Sequence, residues 1–422
     1  MSRVKPTIVG ILGPTIVVIV ITVLLMVGAD RLLGLAGFSD AVPIQVTHPP
    51  NYSGARQSPE FSYRFETNSH GLRYPELTRS KDPNEYRVLL LGDSFTEGDG
   101  VEQAQTFGSL LELRYDGRLM GLPRVRFING GLSGIGPLEY WRLFRRVGLG
   151  FSPDAVVVVV MANDIENMPV DLTYEDLYVD NENPKRSAPA HLFHALLPYS
   201  ATIVEQWRNE HYRDEVRRQP IFEQIRERAQ RRGIPLDRVV AWEKSLPEDV
   251  RLDAENVNQG RLAFGLLRPD FLTNNLNIDT PDANRKWEAM TLALGEIHRL
   301  SSERGLPMLL VFVPFDYQYD RRRFTDWDPW ISAGMRATEN WLNSDSVLQA
   351  RLSSWSKKEQ IPYLDLTPSF REALKANPTV RFNYSFDGHW NAEGHKLAAK
   401  IIGDWLQRDD RLPFTDAAIH RR

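Results

Sequence analysis

The stretch Arg87-Val88-Leu89-Leu90-Leu91-Gly92-Asp93-Ser94-Phe95-Thr96-Glu97-Gly98 decides how the rest of the chain is read. Its unbroken apolar run is what a parallel strand buried on both faces looks like. The run stops at Gly92-Asp93-Ser94, ordinary turn chemistry in its own right. A serine at the carboxyl end of a parallel strand also stands where open α/β sheets put their chemistry.

Downstream, strand and helix alternate. Thr106 to Leu119 has helical periodicity, and Val125 to Asn129 is a short strand running into Asn129-Gly130-Gly131-Leu132-Ser133-Gly134. A helix from about Leu138 to Val147 follows. Ala155 to Met161, with five consecutive valines, is the plainest buried strand and ends at Ala162-Asn163-Asp164. Met308 to Val313 and Ile361 to Leu366 supply the fourth and fifth strands, and Ala392 to Leu406 a closing amphipathic helix. This order implies a parallel, doubly wound sheet whose right-handed crossovers put all strand ends along one edge. Residues 165–283 break the pattern with Arg-rich amphipathic helices such as Glu223 to Arg232. That length exceeds an ordinary connection. It reads as a solvated helical insertion, a lid over the active edge, or both.

Working outward to the N-terminus, Thr7 to Ala29 carries no charged side chain, with Arg3 and Lys5 before it and Asp30 and Arg31 after. About 20 apolar residues span a bilayer, and a signal-peptide core is shorter. The expectation is an uncleaved anchor over residues 1–32, its N-terminus cytoplasmic and the rest of the chain extracytoplasmic. Residues 33–86, rich in Pro, Ser and Asn, read as a tether and irregular lead-in. Within them Thr67 to Arg73 is a compact turn, and its His70 reads as structural. The main domain is expected over 87–412, with a tail at 413–422.

The chain has 422 residues, 42% hydrophobic and 25% charged, with a net charge of −4 and no cysteine. The size allows a large core, the charge exerts no pull toward nucleic acid, and disulfides, thiol nucleophiles and Cys-ligated zinc are excluded. Scattered His, Asp and Glu show no metal-ligand spacing, so neither metal nor cofactor is expected.

Ser94, the Asn129–Gly134 loop, Asn163 and Asp387-Gly388-His389-Trp390 all fall at strand ends or beyond the last strand. A serine hydroxyl needs an adjacent base, a histidine base needs an acid to hold its tautomer, and acyl transfer needs oxyanion donors. In these residues the chain resembles the SGNH, or GDSL, hydrolase superfamily. Gly92-Asp93-Ser94 matches the first block, Asn129-x-Gly131-x-x-Gly134 the second, Asn163-Asp164 the third, and Asp387 with His389 the last. The resemblance spans residues 87–405. It implies a flavodoxin-like three-layer α/β/α sandwich with a five-stranded parallel sheet, and a Ser94–His389–Asp387 triad. The oxyanion donors it implies are the Ser94 and Gly134 N–H groups and the Asn163 amide.

Two departures stand out. Met161 occupies the place of the usual glycine in the third block. The last block reads Asp-x-His-Trp where Asp-x-x-His is usual. If the segment is extended, residues i and i+2 share a side, so Asp387 can reach His389. The Asp-x-His-Trp form is similar to membrane-associated SGNH enzymes acting on bacterial polysaccharides, alginate O-acetyltransferases among them. It implies a serine esterase or O-acyltransferase acting on an acylated envelope carbohydrate or another small ester, with any membrane acyl-transfer partner unspecified. A non-catalytic glycan-binding protein on the same fold is the alternative. So is a lipase or phospholipase, which would need an apolar acyl channel that the Arg-rich insertion does not advertise. Asp93, Asp164, Asp365 and His395 read as structural, with Asp365 the other candidate for the triad acid.

Overall fold

The computed structural model describes residues 8–38, 40–41, 44–115, 124–181, 187–217, 219–252, 254, 259–325, 334–408 and 412. They fall into two compact units, Met1–Gln45 with Val179–Gln219, and Val46–Tyr178 with Pro220–Arg422. The expected C-terminal tail, and the Arg3 and Lys5 that bear on membrane orientation, lie outside the described residues.

The first unit contains α1 (Ile8–Leu35) and the helices Ala188–Leu196 and Pro198–Arg217. Its segment Ile16–Leu35 has a mean hydropathy of 2.5 and is 6% buried. Among the described residues, it is the one helix long and apolar enough to cross a membrane. Where the apolar run ends, Asp30 is buried and accepts the Ser200 backbone N–H at 2.7 Å, in the first turn of Pro198–Arg217. An acidic side chain at a helix N-terminus meets unsatisfied donors and a favourable dipole. Arg31 lies 5.9 Å from the Tyr199 ring beside it.

In the second unit the sheet order is β4 (Arg124–Gly131), β3 (Glu85–Gly92), β5 (Ala155–Met161), β6 (Met308–Val313), β7 (Tyr363–Asp365), every pairing parallel. This is the flavodoxin-like arrangement. The register sets Leu91 opposite both Gly130 and Val158, so the carboxyl ends of the three leading strands lie side by side. All seven residues of β5 are buried, as its valine run requires of a strand covered on both faces. Val88, Leu90, Val157 and Val159 face one layer, a core shared with Phe107, Leu111, Ala398 and Ile402. Those partners come from α3 (Phe107–Arg114) and the closing helix Ala392–Arg408. The alternating side chains face α4 (Pro137–Arg146) and the long helix Pro281–Glu303, which pack against one another.

One expectation needs correction. Residues 46–86 are not a tether: Ser53–Gln57 (β1) and Ser62–Glu66 (β2) pair as an antiparallel hairpin. Val46, Tyr63, Phe65, Leu72, Tyr74 and Leu77 are buried within this unit. The polar composition misled because the hairpin alternates, burying Tyr63 and Phe65 while Ser62, Arg64 and Glu66 stay exposed. Between residues 165 and 283 the described structure is largely helical. Its segment 220–267 has a small core of its own, including Ile221, Ile225, Val239 and Leu262.

Candidate active site

β3 ends at Gly92, and α2 (Ser94–Glu97) begins at once. The corner is made by Asp93, whose carboxylate accepts the Phe95 N–H at 3.0 Å and caps α2. Ser94 is therefore the first helical residue, its N–H among those with no intrahelical acceptor. β4 runs beneath this corner. A Cβ at Gly131 would lie 2.2 Å from the Glu97 nitrogen and 2.6 Å from the Thr96 carbonyl carbon, both backbone atoms of α2. Gly131→Ala is expected to push α2 off the strand and cost about 3 kcal/mol. Thermal unfolding with an activity assay checks this, and an unshifted melting curve would contradict the close approach.

His389 Nε2 lies 2.8 Å from Ser94 Oγ. The other ring nitrogen, Nδ1, is hydrogen-bonded to Asp387 Oδ1. The segment joining the two is a turn, not the extended run expected. Gly388 has φ +87°, and Asp387 Oδ1 also accepts the His389 backbone N–H at 3.2 Å. Asp387 reaches the imidazole because its side chain closes a turn on its own backbone. The adjacent Trp390 is fully buried, stacked on Phe370 at 5.3 Å and edge-on to Phe95 at 5.1 Å. It anchors this turn in the core beneath Ser94.

The acid-bearing loop is gripped from outside. Glu60, in the β1–β2 connection, accepts the backbone N–H groups of Ser385, Phe386 and Asp387 at 2.6, 2.9 and 2.8 Å. Arg323, itself paired with Asp316, donates to the carbonyls of Tyr384 and Ser385. On the Ser94 side, the buried Arg73 guanidinium donates to the carbonyls of Glu97, Gly98 and Val101, at 3.0, 2.6 and 2.5 Å. The Thr67–Arg73 turn seen in the sequence is thus a device for delivering Arg73. Asn68 Oδ1 accepts the His70 and Leu72 N–H groups at 3.0 and 3.1 Å. His70 packs edge-on to Phe151 at 5.0 Å, away from the dyad.

Of the proposed oxyanion residues, Asn163 follows β5 and lines the same cavity as His389 and Asp387. Its side chain lies beside the Asp93 carboxyl. Gly134 sits on the loop after β4 and faces open space. The other sequence candidates have structural partners. Asp164 accepts the Tyr140 hydroxyl at 2.8 Å and the Met161 N–H at 3.1 Å. Asp365 accepts the Thr367 N–H at 2.8 Å and the Gln349 side-chain amide at 2.6 Å. His395 Nδ1 accepts the Phe107 N–H at 3.3 Å.

Charge around the imidazole is strongly one-sided. Burial works against a charged His389, but Asp387 beside it, then Asp99 and Asp93, outweigh burial and push its pKa up to about 9. Burial raises Asp93 to about 6 against the pull of the Phe95 N–H and of His389. His395 is driven down to about 3, mainly by burial and then by Arg73 and His389.

The cavity beside the dyad measures about 210 Å³. Its walls are largely apolar: Phe95, Met161, Phe271, Leu272, Phe315 and Met335. Phe271 and Leu272 come from the inserted region, which the Arg content of that region gave no reason to expect. Met161, where a glycine is usual, is part of the same wall.

A family model described as GDSL-like lipase/acylhydrolase matches residues 88–236. Over that span the chain resembles GDSL-like lipases and acylhydrolases. The matched span carries Ser94, Gly134 and Asn163; Asp387 and His389 lie beyond it. Solved structures similar to this chain include a G-D-S-L-family protein from Desulfitobacterium hafniense DCB-2, at 12% identity and TM-score 0.34, covering 75% of this chain and 98% of that one. A lipase/acylhydrolase from Enterococcus faecalis matches at 14% identity and TM-score 0.33, covering 76% and 95%. An acetylxylan esterase mutant from Geobacillus stearothermophilus matches at 11% and 0.35, covering 80% and 99%. No curated protein matches the chain.

Proposed function

We propose that this protein is a serine carboxylic-ester hydrolase of the SGNH type working through an acyl-enzyme. The observation that carries the reading is the 2.8 Å contact of Ser94 Oγ with His389 Nε2, with Asp387 on the opposite ring nitrogen. As His389 takes the hydroxyl proton, Ser94 Oγ attacks the ester carbonyl carbon. The resulting oxyanion is held by the Ser94 and Gly134 N–H groups and the Asn163 amide. Collapse of the intermediate expels the alcohol, which takes the proton back from His389, and leaves an acyl-serine. Water, deprotonated by His389, releases the acid; a sugar hydroxyl in its place gives O-acyl transfer.

The apolar helix α1 supports anchoring to a membrane, with the catalytic domain on the extracytoplasmic side. Together with the Asp-x-His-Trp resemblance, it favours an acylated cell-envelope carbohydrate as substrate, with the acyl group seated in the apolar cavity. Each buried methylene is worth about 0.8 kcal/mol, or roughly fourfold in kcat/KM. Activity on p-nitrophenyl esters is therefore expected to rise from acetate to longer chains. Leu272→Trp, which fills the cavity, is expected to return the preference to acetate; an unchanged chain-length profile would remove the acyl group from that cavity.

The decisive experiment treats detergent-solubilised full-length protein with a fluorophosphonate and maps the modified residue. Labelling at Ser94 is expected. Folded protein that neither labels nor cleaves any ester would leave a glycan-binding role on the same fold.

A further inference from the structure

One buried charged cluster near the dyad is not used by this chemistry. Asp99 stands two residues past the end of α2. Its Oδ1 accepts Arg56 Nη1 at 2.5 Å and the Tyr63 hydroxyl at 2.9 Å; both donors come from the β1–β2 hairpin. Its Oδ2 accepts the Ser133 hydroxyl at 2.8 Å, from the loop that carries Gly134. Arg56 spans to Glu97 at 3.2 Å and lies 3.6 Å from the Phe65 ring, while His48 holds the other Glu97 oxygen. One carboxylate thus joins the hairpin, the turn after the nucleophile helix and the loop of the second block.

We propose that Asp99 is a positioning residue for catalysis, fixing the Ser133–Gly134 turn against the nucleophile corner and setting a second carboxylate toward His389. The inference rests on the serine-hydrolase reading above. An asparagine would keep one acceptor oxygen for Arg56 and Tyr63 but present an amide N–H to Ser133, so all three bonds need both carboxylate oxygens. The charge pairs with Arg56 at rest, and it also bears on a positive charge that appears during reaction. That charge is the imidazolium formed when Ser94 gives up its proton.

The surroundings keep Asp99 ionised. Burial acts against its charge, but His389, Arg56, Ser133 and Tyr63 hold its pKa below the ordinary aspartate value. The groups acting on His389 are Asp387 from its own turn, Asp99 from the loop after α2, and Asp93 from the end of β3. His395, on the closing helix, also feels the imidazole charge. Around Asp99 itself stand Glu97, Arg56 and Arg73.

The test compares wild type, Asp99→Asn and Ser133→Ala in kcat, KM and the pH dependence of kcat/KM. Asp99→Asn is expected to lower kcat about tenfold with KM held, and to move the alkaline midpoint down by about one pH unit as an opposing charge is lost. Ser133→Ala cuts the tie to the loop and keeps the charge, so kcat falls several-fold and the midpoint stays. An Asp99→Asn enzyme with the wild-type midpoint overturns the proposal, whatever its kcat. If Asp99→Asn does not fold, Ser133→Ala decides, and an unaltered kcat there overturns it. Wild-type protein that fails to label at Ser94 would instead sink the serine-hydrolase reading, so the two failures are distinguishable.

Discussion

Ser94→Ala is expected to reduce ester cleavage by roughly 10⁶-fold, about 8 kcal/mol of transition-state stabilisation, while the protein keeps its fold. The Ser94 hydroxyl reaches His389 at 2.8 Å and caps nothing; the capping of α2 belongs to Asp93. Alanine preserves the Ser94 backbone N–H and suits a helix. The stability change should therefore stay near 1 kcal/mol, the usual worth of one lost hydrogen bond. Activity and melting temperature thus separate in a single variant. Fluorophosphonate labelling should vanish together with turnover. A variant that still cleaves esters at the wild-type rate would place the nucleophile elsewhere.

Asp387→Asn should cost roughly 10⁴-fold in kcat, because an amide can donate to Nδ1 and favour the wrong imidazole tautomer. It also carries a pH signature. His389 accepts the serine proton only when neutral, and its conjugate acid titrates at about 9 with Asp387 beside it. Wild-type kcat/KM should therefore climb with pH and level off above about 9. Without the Asp387 charge the protonated ring loses its nearest partner, so the midpoint moves to lower pH even as the plateau collapses. A pH series on a short-chain ester reads both effects. A wild-type profile flat from about pH 7 to 9 would mean that His389 is not the titrating base.

The strands were legible because burial on both faces leaves a continuous apolar run. β5 and β6 carry the residue bounds expected, and the strand–helix alternation gave the parallel sheet. The four motif blocks were legible because strand-end chemistry concentrates in short segments. The clamps around them were not. Arg73 and Glu60 act through backbone carbonyls and N–H groups distant in sequence, and such bonds impose no periodicity on the residues that make them. Asp99, directly after Gly98, stands outside every motif block. Phe271 and Leu272 were hidden because an Arg-rich average conceals a short apolar patch. Even where Asp387 and His389 were paired, the reason differed: a turn about Gly388 and not strand alternation.

The Glu60 clasp has a consequence for the order in which the protein becomes competent. Its bonds join residues 325 to 327 positions apart, and Ser94 meets His389 across 295. During synthesis at about 5–20 residues per second, the Ser94 corner and its Arg73 support can form long before His389 exists. Glu60 then waits as an unoccupied acceptor for N–H groups that emerge last. Chains terminated ahead of residue 385 should fold much of the sheet yet remain inert, so activity reports synthesis past His389. Pulse-labelled chains released at increasing lengths would show structure accumulating gradually and esterase activity arriving in one late step.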